Sequence, residues 1–100
     1  MNKEISAYVI GHITVKDTEK WAEYRSQVGA TMAPWGAELV CRGKRTDILC
    51  GEHHHTDIVV IRFPNVESAK NWFNSQAYQA LIPLRDQAAD VVLVSYASAP

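Results

Sequence analysis

Two segments of the sequence are apolar on both faces of the strand that each would form. Asp57 to Phe63 reads Asp-Ile-Val-Val-Ile-Arg-Phe, and Val91 to Tyr96 reads Val-Val-Leu-Val-Ser-Tyr. Successive side chains of a strand point to opposite sides, so these runs place apolar surface on both sides of a sheet. A sheet with one wet face alternates apolar and polar residues instead. The sequence therefore predicts a sheet in which both faces are buried.

The first third of the chain predicts a strand followed by an amphipathic helix. Ser6 to Val15 is rich in residues that favour strands. Asp17 is suited to cap the N-terminus of a helix, and Pro34 with Gly36 marks where that helix ends. Between them, apolar residues recur at intervals of three and four, as on the buried face of a helix: Trp21, Tyr24, Val28, Met32 and Trp35.

The middle of the chain predicts a second strand and a polar turn before the strand at Asp57. Ala37 to Cys50 is interpreted as one long strand or as a strand pair broken near Gly43. Gly51 to His55 is polar and is typical of a turn.

The last third predicts helical segments and a closing strand. Pro64 ends the third strand, and Asn65 is suited to cap the helix that follows. Ser75 is a second cap candidate, and Pro83 predicts a kink or a fresh helix start because proline disrupts a continuous helix. Val91 to Tyr96 predicts the closing strand.

This order of elements is that of the ferredoxin-like βαββαβ fold. It predicts an α+β protein whose four-stranded antiparallel sheet carries both helices on one face. A chain of 100 residues suits a single domain, residues 1–100. Because one helical layer covers only one face of the sheet, the second apolar face predicts a homodimer in which two sheets pack together.

Composition excludes several classes of function. Ten Lys and Arg residues against eleven Asp and Glu give a formal net charge of -1, without the basic surplus of a nucleic-acid binder. No apolar run approaches the ~18 residues that cross a membrane, and Met1 to Ala7 does not resemble a signal peptide. Cys41 and Cys50 are too few for a disulfide scaffold and are expected to be buried thiols. A cytoplasmic location is therefore expected.

Several local runs are shared with a known family: Ala7-Tyr8-Val9, Asp17 through Trp21 to Tyr24, Glu38-Leu39-Val40 with Arg42-Gly43, Val59 to Pro64, Trp72 to Ser75, Tyr78 to Leu81 and Ile82 to Arg85. With these runs the chain resembles the domain-of-unknown-function family 1330, within the dimeric α+β barrel superfamily. The resemblance implies this fold and a cleft between sheet and helices. The family has no agreed reaction. The wider superfamily includes cofactor-independent monooxygenases and muconolactone isomerases, which implies chemistry without a cofactor by analogy alone. The chain departs from the family's frequent Arg-Gly-Gly by having Lys44 after Gly43.

His12 is the candidate for acid–base chemistry. It lies in mid-strand, on the same side as Tyr8, Ile10 and Thr14. An imidazole has an ordinary pKa near ~6.5 and so exchanges protons at neutral pH. The alternative is a neutral histidine hydrogen-bonded in the core or in a dimer interface.

Arginines and aromatic residues supply the candidate binding groups. Arg42 and Arg85 are each suited to hold a carboxylate through the planar guanidinium, as is Arg62. Tyr24, Trp72 and Tyr78 would line a pocket for an aromatic or fatty substrate, with the tyrosine hydroxyls orienting it. The alternatives are ion pairs of the arginines with nearby aspartates, namely Asp57, Asp86 or Asp90, and a purely structural role for the aromatic rings in the core.

The run Glu52-His53-His54-His55 contains metal-ligand residue types, but its spacing matches no closed zinc motif. It is interpreted as a solvated loop, and no metal and no cofactor are expected. The sequence also contains neither a glycine-rich phosphate loop nor a Gly-x-Ser-x-Gly motif.

Three hypotheses on function follow from these residues. The first is a cofactor-independent enzyme acting on a small organic acid or aromatic compound, with His12 transferring a proton in the sheet–helix cleft. The second is a non-catalytic module that binds such a molecule in the same cleft. The third is a structural or interaction domain, which would have no cavity of at least ~300 Å³ beside these residues.

Overall fold

The chain forms its elements in the predicted order. The computed structural model describes residues 5–99. The elements are β1 (Ala7–Val15), α1 (Thr18–Met32) followed by a 3-10 turn (Ala33–Trp35), β2 (Glu38–Lys44), β3 (Asp57–Phe63), α2 (Val66–Asn74), α3 (Gln76–Gln79), α4 (Ile82–Ala88) and β4 (Ala89–Ala97). No described helix has the length and apolar character needed to span a membrane.

The four strands form one antiparallel sheet in the order β2-β3-β1-β4. In the central strand, Val9 pairs with Ile61 on one side and with Ser95 on the other. The helices cover a single face of this sheet, which confirms the predicted ferredoxin-like α+β architecture.

Local side-chain hydrogen bonds set the helix ends. The Asp17 carboxylate accepts a hydrogen bond from the backbone N–H of Lys20 at 3.1 Å and caps α1. Asn65 caps α2 in the same way, accepting from the backbone N–H of Ser68 at 2.7 Å. Gly36 follows the 3-10 turn with φ of 73°, a left-handed conformation that favours glycine. These caps and this stop are as predicted.

The segment after β2 differs from the prediction. β2 ends at Lys44, and residues 45–56 form neither a strand extension nor a second strand. Separate hydrogen bonds, rather than a strand ladder, hold this loop. Among them, the Thr56 N–H donates to the Ile13 carbonyl at 3.1 Å, and the Arg45 guanidinium donates to the His53 and His55 carbonyls. With no neighbouring strand to pair with, the loop does not continue the sheet.

The core lies between the sheet and the helices. Its buried side chains include those of alternate residues of β1 and β3 and of the helices above them: Ala7, Val9, Ile61, Phe63, Tyr24, Trp72 and Tyr78. Cys41 and Cys50 are both exposed, so the expectation of buried thiols was wrong for the single chain. Cys41 lies on β2, an edge strand whose residues are all exposed, and it pairs with Val60 of β3.

The opposite face of the sheet, here called the open face, is apolar and lies away from the helices. Its central residues are the other alternate positions of β1, β3 and β4, namely Tyr8, Ile10, His12, Ile58, Val60, Val92, Val94 and Tyr96, and Thr14, Arg62 and Asp90 lie at its ends. Val92 and Tyr96 are 46% and 49% exposed. The helical layer thus covers one of the two apolar faces that the sequence predicts, and leaves the second without a cover among residues 5–99.

Candidate functional site

A cavity of about 800 Å³ lies between α1 and the sheet. Helix α1 packs against α4 rather than closely onto the strands, and the cavity occupies the space beneath it. Part of its floor is formed by Val59 and Leu93, whose side chains meet over Gly11 of β1; a Cβ on Gly11 would come within 2.8 Å of the Val59 side chain. Its volume suits a small organic molecule.

The cavity walls are mostly apolar. From α1 they include Trp21, Tyr24, Val28 and Met32, and from the other elements Val9, Ile61, Trp72 and Leu93. Two of the predicted binding residues, Tyr24 and Trp72, therefore border the cavity. Trp72 is 3% exposed, and its indole N–H donates to the Thr31 hydroxyl at 3.0 Å, which fixes the ring against α1.

Charged residues lie among the residues that line this cavity. Arg25 on α1 and Arg42 on β2 are exposed and form no ion pair within residues 5–99. Lys44 forms a pair with Asp57, with Nζ and Oδ2 at 3.4 Å. Asp57 is the single carboxylate among the described residues that line the cavity. Lys44, at which the chain departs from the family pattern, thus adds a cation to the cleft. Arg25, Arg42 and Lys44 together outnumber the one carboxylate, so the net charge of the cleft is positive.

Arg42 lies in the cleft as predicted, but Arg25 was missed. The apolar pattern of α1 drew attention to the buried residues, and Arg25 follows directly after one of them, Tyr24. A signal was present, because Arg25 lies one helical turn from Trp21 and one turn from Gly29, and all three line the cavity.

Arg85 and Tyr78 lie behind the cleft wall rather than in it. The Arg85 guanidinium donates to the Tyr78 hydroxyl at 3.0 Å and to the Asp86 carboxylate at 3.1 Å. The Tyr78 hydroxyl lies 2.9 Å from the Tyr24 hydroxyl. Arg85 therefore forms an ion pair with Asp86, which was the alternative to holding a ligand. It is not among the described residues that line the cavity.

Burial and hydrogen bonds set the protonation states of Tyr24 and Arg85. It raises the pKa of the Tyr24 phenol well above its usual value, and the neighbouring Tyr78 adds to the increase. Burial by itself lowers the pKa of the Arg85 guanidinium, but its hydrogen bonds to Tyr78 and Asp86 outweigh this effect and raise it. Tyr24 remains a neutral phenol and Arg85 a cation at physiological pH.

His12 lies on the open face, so its expected place in the cleft is corrected. It alternates with Gly11 and Ile13, whose positions face the helices, and it pairs with Ile58 and Val92. The sheet separates it from Tyr24 and Arg42, and it cannot transfer a proton to a molecule in the cleft. Both alternations of the strands are apolar, and for that reason the sequence did not indicate which one the helices would cover.

Three histidines cluster on the open face. The ring centroid of His12 lies 5.1 Å from that of His53 and 6.5 Å from that of His55, and the two loop rings are 5.9 Å apart. Loss of hydration beside these rings, together with the charge of a protonated His12 or His55, lowers the pKa of His53. Within residues 5–99, no group of three or more His, Cys, Asp or Glu residues has an arrangement that holds a metal ion.

Comparisons with known proteins identify one family. The family model described as Domain of unknown function (DUF1330) matches residues 6–97. No curated protein matches the chain.

Solved structures with the same fold include proteins of different description. A protein of unknown function from Rhodopseudomonas palustris, RPA0582, is 18% identical with a TM-score of 0.78, over 97% of this chain and 85% of that chain. Hydroxynitrile lyase from Passiflora edulis is 15% identical with a TM-score of 0.70, over 98% and 96%. A dimeric ferredoxin-like protein of unknown function from Jannaschia sp. CCS1 is 9% identical with a TM-score of 0.70, over 91% and 97%. At these identities the likeness shows a shared fold and not a shared activity.

Proposed function

The chain belongs to the domain-of-unknown-function family DUF1330, and we propose that it binds a small aromatic or fatty carboxylic acid in the cleft between α1 and the sheet. One observation carries the proposal: two arginines without an ion pair, Arg25 and Arg42, line an apolar cavity of about 800 Å³. A guanidinium binds a carboxylate through paired hydrogen bonds, and apolar walls accommodate the remainder of such a ligand. The size of the cavity argues against a filled, purely structural interior.

The chemistry of the cleft supports binding better than proton transfer. No histidine is among the described residues that line the cavity. Tyr24 keeps its proton because burial raises its pKa. Asp57, which remains as a candidate base, is paired with Lys44. A lyase of the same fold, from Passiflora edulis, indicates that the architecture can carry catalysis without assigning any to this chain.

Replacing Arg42 with glutamine is expected to weaken the binding of carboxylates about tenfold or more, because a hydrogen bond to a charged group contributes about 1.5–3 kcal/mol. Isothermal titration calorimetry with benzoate, 2-naphthoate and decanoate, each beside its neutral amide, measures this effect. The wild type should prefer the anions, and Arg42→Gln should reduce the preference.

The control is Lys70→Gln, which removes the same charge from the exposed surface of α2. Its affinities should equal those of the wild type. If none of the three anions binds the wild type more tightly than its amide, the proposal is wrong.

The open face supports a second part of the proposal, that two copies of the chain pair sheet against sheet. Its central residues are apolar on three adjacent strands, with Ile10 flanked by Val60 and Val94. Exposed apolar patches of this kind mark interaction surfaces. The ferredoxin-like protein from Jannaschia sp. CCS1 that shares the fold is dimeric.

This pairing is expected to weaken as the pH falls. The cluster of His12, His53 and His55 would enter the interface, and the Arg45 guanidinium, which donates to the His55 carbonyl, adds a positive charge beside it. The carboxylate of Asp90 on the same face is held by Lys16 at 3.2 Å. Packing a second sheet against His53 would remove more water from its ring, which lowers its pKa below the already lowered value in the free chain. The free chain would then bind more protons than the pair, so association would lose free energy as the pH falls through the pKa of the free chain.

Sedimentation equilibrium at pH values of about 8 and about 5.5 tests this expectation. The dissociation constant should be larger at the lower pH, and His53→Gln should reduce the difference. His54→Gln is the matched control, because the His54 side chain is exposed and takes no part in the three ring contacts. Equal association at both pH values would contradict the prediction.

A further inference from the structure

A buried chain of hydrogen bonds leads from α4 to the wall of the cleft. Nη1 of Arg85 donates to the Tyr78 hydroxyl at 3.0 Å, and that hydroxyl lies 2.9 Å from the Tyr24 hydroxyl. Tyr78 is fully buried, whereas Tyr24 borders the cavity. The chain thus has a cation at one end and Tyr24, a residue of the cleft wall, at the other.

Arg85 determines the direction of this chain because a guanidinium donates hydrogen bonds and accepts none. The Tyr78 oxygen accepts from Arg85, and within residues 5–99 the nearest acceptor for its own proton is the Tyr24 oxygen. The reverse direction would leave the Tyr78 proton unsatisfied at a fully buried position, which costs free energy. Tyr24 therefore accepts from Tyr78, and the proton of its own hydroxyl has no acceptor among residues 5–99.

We propose that Tyr24 donates this proton to the bound ligand, and that the ligand is an organic acid with a carbonyl oxygen in addition to its carboxylate. The inference rests on the proposed function, in which Arg25 and Arg42 hold the carboxylate. Next to Tyr24 on α1, the cavity is lined by the ring of Trp21, stacked at 5.1 Å, and by Val28. These side chains offer no good acceptor for a ligand hydroxyl proton, whereas a carbonyl accepts without bringing a proton of its own.

The protonation of Tyr24 agrees with this role. Burial raises the pKa of its phenol, so the O–H group is present across the physiological range. The positive charge of Arg85 polarises Tyr78, and Tyr78 in turn polarises Tyr24, since hydrogen bonds in a chain strengthen one another. Arg85 and Tyr78 are therefore positioning residues, which act on the ligand through Tyr24.

The test compares two probes, 6-acetyl-2-naphthoate and 6-isopropyl-2-naphthoate, which differ by a carbonyl oxygen in place of a methyl group. Calorimetry on the wild-type protein should show the acetyl probe bound about tenfold more tightly. Tyr24→Phe should abolish this preference, because it lowers the affinity for the acetyl probe more than the affinity for the isopropyl probe. Arg85→Met should reduce the preference although Tyr24 is present, because Tyr78 is then free to accept from Tyr24. Tyr96→Phe, which removes a phenol from the other face of the sheet, should retain it.

The outcomes separate this inference from the proposed function. Equal affinity of the wild type for both probes overturns the role of Tyr24 and leaves the anion site intact. An equal loss of both probes in Tyr24→Phe also overturns it, because Tyr24 would then only support the wall. If neither probe binds the wild type, the proposed function fails and this inference fails with it.

Discussion

Trp72→Ala is expected to lower the free energy of unfolding by about 3–5 kcal/mol, the usual cost of removing a buried tryptophan. The side chain is 3% exposed and packs against Tyr78 and Phe63, with ring centroids 4.3 Å and 5.5 Å away. The substitution would also leave the Thr31 hydroxyl without its indole donor. For a domain of this size the melting temperature should fall by roughly 12 °C or more.

Differential scanning calorimetry at one protein concentration checks this effect, since coupling to dimerisation makes the melting temperature depend on concentration. Phe73→Ala is the matched control, because Phe73 lies on the same helix but is 37% exposed. Its loss of stability should be clearly smaller. If the two variants melt at the same temperature, Trp72 does not hold the helical layer to the sheet.

Val92→Lys is expected to weaken self-association by about 100-fold or more, because an unpaired charge in an apolar interface costs several kcal/mol. Val92 is at the centre of β4 on the open face and is 46% exposed in the single chain. The lysine therefore reaches water in a free chain and loses it only when a second sheet packs there. The fold should survive while the dimer dissociates.

Size-exclusion chromatography with light scattering gives the mass of each species, and circular dichroism checks the fold. Val66→Lys is the control, since Val66 is 37% exposed at the start of α2, in the helical layer. It should behave as the wild type does. A Val92→Lys protein that is still dimeric would place the interface on another surface.

Features that depend on neighbouring residues were predictable from sequence. The caps at Asp17 and Asn65 and the stop at Gly36 involve contacts within three residues or a single backbone conformation. The strand at Asp57–Phe63 was also predicted at its observed bounds, because its β-branched run ends at proline. The loop at residues 45–56 was not, because its apolar residues resemble those of a strand and only the lack of a pairing partner excludes one.

Contacts between distant residues were beyond sequence reasoning. Tyr24 and Tyr78 were both candidates, but their hydroxyls meet across 54 residues of sequence. Arg85 was expected to hold the ligand directly, yet it supports Tyr78 from behind the wall. Arg25 was not considered, because its place beside the cavity follows from how α1 stands above the sheet.

The sequence by itself determined the order of elements, the ferredoxin-like class and the presence of two apolar sheet faces, because each follows from local periodicity and capping. Only the tertiary structure decided which face the helices cover. Both alternations of the strands are apolar, so burial favours neither, and the choice depends on how the helices pack across the sheet. That choice placed Arg42 in the cleft and His12 on the open face. It thereby determined where we propose ligand binding and where we propose self-association.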